Sequence, residues 1–413
     1  MDRHAGILER PVEKILMAVI LRSGGLPIPW LLMTISIFRA LFVLLIASLA
    51  GLSALAQDKS SVINSERHAF RVTSLLTGLD NPWSMAFLPD GRMLITERAG
   101  RLRLLGQDFK LDPKPIEGLP EVVAQGQGGL LDVVLHPQYA QNGWIYWAYN
   151  APGPGGWGTA LARGKLQGHR MTDVRVLFSM QPKTRSSHHF GGRIVIDQAG
   201  MLYLTLGDRG DQARAQKLDD HAGSVIRLHD DGRVPANNPY ARQAGALHEK
   251  WTLGNRNMQG AALHPVTGEL WTHEHGPQGG DEVNVMRSGL NYGWPVVTYG
   301  VNYGLGTKIG EGQTKPGMVQ PLHVWVPSIA PSGMAFVSGS QFPQWNGNLL
   351  VGALAGQMLL RLTLDGEKVI KEERLLQGRV GRIRDVRMGP DGFVYLLTDE
   401  AQGRLLRLEP VKP

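Results

Sequence analysis

The sequence predicts an all-β chain folded as a six-bladed β-propeller. Three observations carry this. A strand–turn–strand unit recurs six times, turn-forming residues are abundant, and no stretch shows the 3.6-residue apolar period of an amphipathic helix. The six units read MAFLPDGRMLITE, VVLHPQYAQNGWIYWAY, IVIDQAGMLYLTLGD, AALHPVTGELWTHE, MAFVSGSQFPQWNGNLLVG and VRMGPDGFVYLLTDE. Each places a glycine just before its second strand: Gly91, Gly143, Gly200, Gly268, Gly347 and Gly392. Tight reversals between strands favour Gly, Asn, Asp and Pro, and the chain holds 52 Gly and 25 Pro. One hairpin cannot bury both of its faces, whereas six arranged radially can. A pair of β-sandwiches is the competing architecture.

Composition bounds the chain further. Of the 413 residues, 43% are hydrophobic and 19% charged, as in ordinary globular proteins. Cysteine is absent, which excludes disulfides, thiolate metal sites and cysteine nucleophiles. Near the start, ALFVLLIASLAGLSALA follows Arg39 and ends in the small-x-small pattern Ala54-Leu55-Ala56. This pattern predicts a cleaved leader over residues 1–56, with translation starting at Met33, and a periplasmic or secreted product. An uncleaved membrane anchor over residues 33–56 is the alternative, although the apolar run is short for a spanning helix. The remainder, 57–413, is 357 residues, about 60 for each of six blades. Removing the leader's five basic and three acidic residues from 43 and 36 leaves a net charge of +5. No basic run is long enough for a nucleic-acid footprint.

Several segments carry chemistry-bearing residues. TRSSHHFGGR sets His188 and His189 side by side before a glycine pair, either as a polar loop or as a site. GDRGDQ ends a predicted strand at Asp208, which either makes a turn or fixes the tautomer of a histidine. In GQGGLL, Gln127 sits among small residues that leave room for a flat ligand. LGNRNMQG offers Arg256 and Asn257 to an anion or a carbonyl, or to loop backbone. In GRIRDVR, Arg382 and Arg384 are two apart, so a strand would put them on one face as a receptor for carboxylates or phosphate. HEHGPQGGDE alternates His273 and His275 as a transition-metal pair would. Asp281, Glu282 and the Gly276-Pro277 turn suit a hard cation better, which favours Ca2+ over zinc. Tyr292 and Trp294 of NYGWP read as packing residues. GPGGWG matches a dinucleotide fingerprint literally, but Pro154 and the lack of a following helix make it a loop.

Taken in order, GQGGLL, HHFGGR, LGNRNMQG, EHGPQGGDE, NYGWP and RIRDV resemble the soluble quinoprotein sugar dehydrogenases of the aldose sugar dehydrogenase type. The likeness runs from about Gly78 to Leu406. It implies a propeller that binds pyrroloquinoline quinone (PQQ) and Ca2+ and oxidises aldoses at C1 to lactones by base-assisted hydride transfer. It implies His189 as the base, oriented by Asp208, with Arg256 stabilising developing charge. Gln127, Arg256, Asn257, Arg382 and Arg384 would contact cofactor or substrate. The carbonyls of Gly276 and Pro277 would hold the cofactor's Ca2+. Glu282, Tyr292 and Tyr303 would form a second, structural calcium region. One departure stands out: VGALAGQ has Ala355 where relatives often carry lysine, which implies weaker cofactor binding. The implied partners are an aldose and an unidentified electron acceptor. No nucleic acid and no stable membrane insertion after leader cleavage are expected, and the protein would be a monomer or homodimer. A calcium-dependent propeller lactonase and a non-catalytic glycan- or protein-binding propeller are the competing functions.

Overall fold

A computed structural model describes residues 62–411, and the expected leader and its alternative anchor lie outside the described residues. Each of the six predicted hairpins forms the inner two strands of one antiparallel sheet. Blade 1 comprises Pro82–Phe87, Met93–Glu97 and Arg101–Leu105. Blade 2 comprises Leu130–Leu135, Trp144–Gly153, Gly156–Gln167 and Arg170–Ser179, and blade 3 Ile194–Ile196, Met201–Leu206 and Ser224–His229. Blade 4 is Met258–Leu263, Leu270–Glu274, Asp281–Met286 and His323–Trp325. Blade 5 is Pro331–Phe336, Leu349–Ala353, Met358–Asp365 and Lys368–Leu375. Blade 6 joins Ile383–Met388, Val394–Thr398 and Gly403–Pro410 to Ala69–Leu79 and Ile63–Asn64 from the other end of the described chain. All six turn glycines have positive φ, from 69° at Gly143 to 84° at Gly91, where a side chain would strain the turn.

Each first strand packs on the first strand of the next blade, and Ile383–Met388 returns to Pro82–Phe87, so the ring closes as a propeller rather than as two sandwiches. Alternation along each strand feeds two different cores. Ile145 and Trp147 pack between blades 1 and 2, whereas Tyr146 and Ala148 pack between blades 2 and 3. Burial on both faces explains why these strands read as continuous apolar runs. Blades 1 and 3 have three strands where blades 2, 4 and 5 have four. In blade 1 the segment beyond Leu105 meets the sheet only at isolated bridges, Leu105↔Leu111 and Leu102↔Ile116. In blade 3 the outer position is taken by an irregular connection that touches the sheet at Ile226↔Lys250. The GPGGWG segment is a hairpin tip in blade 2, with Gly153 opposite Gly156. Among the described residues, no helix is long and apolar enough to cross a membrane.

Polar side chains lace the inner strands together around the axis. Arg387 of blade 6 pairs with Asp132 of blade 2 at 2.5 Å and with Asp385 at 3.0 Å, and donates to Ser84 of blade 1. Arg193, at the entry to blade 3, pairs with Asp385 at 2.8 Å and donates to the Gln259 carbonyl of blade 4 at 2.6 Å. The carboxylate of Asp281 in blade 4 accepts the backbone N–H groups of Ile329 and Ala330 at the start of blade 5. Ser332 of blade 5 donates to the Ile383 carbonyl of blade 6. Asp132, Asp385 and Arg193 are at most 2% exposed. Removing one partner of such a set strands buried charge, at a cost of about 3–5 kcal/mol. Asp385→Ala should therefore lower unfolding free energy by about that much in a denaturant titration. A loss under 1 kcal/mol, the scale of an exposed ion pair, would show that the network is not structural.

Candidate functional site

A cavity of about 360 Å³ opens at the channel. Trp83, Arg98, Gln127, Phe190, Asn257, His275, Arg382 and Arg384 contribute to its lining, so five residues singled out from sequence meet there: Gln127, Asn257, His275, Arg382 and Arg384. The paired arginines do share one partner, Asp399, at 3.2 Å from Arg382 and 3.1 Å from Arg384. Burial works to raise the Asp399 pKa, but the two guanidinium groups outweigh it and hold the carboxyl below its usual range. Arg384 also donates to Gln259, whose amide reaches Asn257 and the Gly191 carbonyl. Beneath the lining, the Arg193 guanidinium lies 4.2 Å from the Trp83 ring centre.

His189 adjoins this cavity through its neighbours Phe190 and Gly191. Its Nδ1 is 2.6 Å from Asp208 Oδ1, and its backbone N–H donates to Gln127 Oε1 at 2.9 Å. The close approach depends on Gly207, where a Cβ would sit 2.2 Å from the His189 carbonyl oxygen. His189 itself holds a left-handed φ of 51°, a strained conformation for a residue with a side chain. The preceding carbonyls of Ser186 and His188 accept from Arg209, whose guanidinium carbon sits 3.5 Å from the centre of the Phe190 ring. Asp208 is fully engaged: Oδ1 also accepts from the Gly210 N–H at 2.7 Å, and Oδ2 from the Trp294 indole at 2.8 Å. Trp294 thus does more than pack.

Burial lowers the His189 pKa below 6.5, against the pull of Asp208 and with Arg256 and His188 adding to the fall. Burial acts to raise Asp208, but His189, the Gly210 N–H and Arg256 hold it below the usual carboxylate range. A carboxylate can only accept, so Nδ1 carries the hydrogen and neutral His189 keeps its Nε2 lone pair. Nε2 has no hydrogen-bond partner among the described residues. His188, by contrast, is exposed and touches Ser187.

A second, ion-sized cavity of about 10 Å³ is lined by Arg256, Glu274, Gly276, Glu282, Tyr292 and Trp294 among others. Glu274 and Glu282 are directly opposed across neighbouring strands, an arrangement that repels unless a proton or a cation is shared. Burial pushes Glu274 up to about 7, against hydrogen bonds from Asn255 and the N–H groups of Arg256 and Asn257. Burial, then Glu274, pushes Glu282 up to about 8. Gly276 lines this second cavity and not the channel, and Pro277 lines neither. Tyr303 stands apart, 68% exposed, and the structure does not bring it to either cavity. The histidine pair does not form a metal site. His273 is fully buried with neither ring nitrogen partnered, and His275 Nε2 lies 2.6 Å from the Pro331 carbonyl. Among the described residues, no three His, Asp or Glu side chains cluster to hold a metal.

Sequence reasoning missed Trp83, Arg98, Asp399 and Glu274. Glu274 was hidden by the HEH pattern that drew attention to its neighbours, although a strand places it on the opposite face from both histidines.

A family model described as Glucose / Sorbosone dehydrogenase matches residues 79–407. The chain is 45% identical over 357 residues to the aldose sugar dehydrogenase YliI of Escherichia coli (strain K12), covering 85% of this chain and 96% of that one. It superposes on the crystal structure of the soluble aldose sugar dehydrogenase from Escherichia coli in the apo-form with a TM-score of 0.80 and 44% identity, over 83% of this chain and 100% of the other. The PQQ-bound form of an aldose sugar dehydrogenase from Streptomyces coelicolor gives 0.67 and 26%, over 84% and 100%. With a family model spanning residues 79–407 and a relative 45% identical over most of both chains, the chain belongs to the glucose/sorbosone dehydrogenase family, a sugar dehydrogenase type of oxidoreductase.

Proposed function

We propose that the protein oxidises aldoses at C1 to lactones, using PQQ and Ca2+. The observation that carries the reading is the His189–Asp208 couple, with its free Nε2, beside a cavity lined by paired arginines. The cavity suits a flat polyanion. Its lining carries three guanidinium groups (Arg98, Arg382, Arg384) against the single carboxylate of Asp399, and the indole of Trp83. Arg382, Arg384, Gln127 and Asn257 would hold PQQ. The Gly276 and Pro277 carbonyls accept no hydrogen bond among the described residues, but neither residue lines the channel cavity, so their role as holders of its Ca2+ rests on the resemblance. When bound, this pair supplies a hydride-accepting quinone whose carbonyl is polarised by the metal.

The chain's own residues do the acid–base work. His189 Nε2 takes the proton of the anomeric hydroxyl, and Asp208 stabilises the imidazolium that forms. Trp294 and Gly210 keep the carboxylate turned toward Nδ1. Arg256, held by its backbone N–H on Glu274 and by a guanidinium contact to the His275 carbonyl, stabilises negative charge on the sugar oxygen. In the second cavity, Glu282, with Glu274 and backbone oxygen from Tyr292, would hold a structural Ca2+.

Dye reduction with a panel of aldoses, after adding PQQ and CaCl2 to the purified protein, tests the activity; no turnover with any aldose overturns it. His189→Ala should lower kcat by about 10² or more with PQQ still bound, while His188→Ala costs far less. Equal losses would mean that the base is misassigned. The pH profile follows from the depressed His189 pKa. The base form dominates above the folded pKa, so kcat/KM should fall with acid only below pH 6.5 and show no limb from this group above it. Asp208→Asn removes the carboxylate that raises this pKa, so the acid limb should move lower still while kcat drops. A limb that moves upward would refute the coupling. Chelation should lower thermal stability, because a cation that binds only the folded state stabilises it. Glu282→Gln should abolish most of that calcium-dependent change in melting temperature; a variant that responds to Ca2+ as the parent does would place the ion elsewhere.

A further inference from the structure

Resting on the PQQ reading, we propose that Arg98 is a third cationic contact for the bound tricarboxylate and supplies the charge that Ala355 does not. Arg98 sits at the tip of the blade 1 turn between Met93–Glu97 and Arg101–Leu105 and lines the channel cavity with Arg382 and Arg384. Those two are tied to Asp399. Arg98 has no carboxylate within ion-pair distance among the described residues, and its guanidinium contacts only the Gly126 carbonyl. It is therefore the one lining guanidinium without an ion pair among the described residues, although its field reaches Asp80.

Its backbone is pinned from both sides. The Arg98 N–H donates to the Asn81 carbonyl at 3.1 Å, and its carbonyl accepts from Leu130 at 3.2 Å. At Gly129 a Cβ would lie 1.9 Å from that carbonyl oxygen, so this glycine is what lets the Arg98 turn approach so closely. Leu354 lines the same cavity, while its neighbour Ala355 is exposed and carries no charge. Arg361, on the following strand, does not stand in for a lysine, because it is committed to Glu373 and Asn348. Without Arg98 the lining would hold two guanidinium groups against Asp399, a net charge of +1 facing a ligand with three carboxylates. With it the net charge is +2, and an unpaired guanidinium matches a carboxylate in geometry as well as charge.

The test is direct binding of PQQ to the purified full chain in the presence of CaCl2, followed by quenching of tryptophan fluorescence. Arg98→Gln should raise Kd about tenfold, while Arg98→Lys stays within about threefold. The Arg98→Gln variant should also lose part of the salt dependence of Kd, since one partly solvated charge pair is gone. Ala355→Lys should change Kd little in the parent and restore most of the loss in the Arg98→Gln background. A merely structural role for Arg98 on the Gly126 carbonyl would not produce that rescue. An unchanged Kd in Arg98→Gln, or an equal gain from Ala355→Lys in both backgrounds, overturns the assignment while leaving the cofactor reading intact. Failure of the parent itself to bind PQQ, with Arg384→Gln no different, overturns the cofactor reading and the Arg98 assignment with it.

Discussion

The structure depends on how six sheets, each with only its faces to bury, are kept in register around an axis. Apolar packing between blades is strong but non-directional. Direction comes from the buried polar lacing of the inner strands, in which Asp132, Arg193, Asp385 and Arg387 join blades 1, 2, 3, 4 and 6, and Asp281 and Ser332 add blade 5. A sliding sheet would leave one of these charges unpaired in the interior, which is far more costly than a slightly worse apolar contact. Asp385 alone accepts from Arg193, Arg387 and the Met85 N–H, so a single carboxylate sets three strands against one another.

The same lacing reaches the site. Arg193, besides its ion pairs, donates to the Arg384 carbonyl and lies against the ring of Trp83. The floor of the cavity and the interior network are thus parts of one rigid assembly. Residues that need precise placement sit on or beside inner strands: Asn257 one residue before Met258–Leu263, Arg384 within Ile383–Met388, and Asp208 two residues past Met201–Leu206. The strain held at His189 is offset by contacts to Gln127, Asp208 and, through the preceding carbonyl, Arg209. This arrangement gives the His189 ring a single orientation before any ligand arrives.

Much of this was legible in the chain. The hairpins were visible because a fully buried strand must be apolar along its length and its turn must accept positive φ. The pairing of His189 with Asp208 was legible by resemblance, and the geometry brings them within 2.6 Å. The residues that escaped notice share one property: their role depends on a partner on another strand. Asp399 matters because it meets Arg382 and Arg384 across a hairpin, and Glu274 because it faces Glu282. Trp294 matters through an oxygen of Asp208, 86 positions earlier. Local pattern cannot reveal such pairs. Nor does it reveal that the side chain of Tyr303, a residue expected to offer a backbone oxygen, faces solvent.

The blade that closes the ring mixes the two ends of the described chain. Ala69–Leu79 lies beside Gly403–Pro410, pairing Phe70 with Pro410 and Leu79 with Gly403. Blade 6 therefore has no complete sheet until Gly403–Pro410 has been made. Assembly of the ring is a late event in synthesis, governed by contacts of the longest sequence separation in the molecule, and is expected to be slow. The nascent chain spends that interval with unpaired strand edges exposed. A truncation of only eight residues at Gly403–Pro410 would act like the removal of a keystone, opening every blade to its neighbour's loss rather than trimming an end.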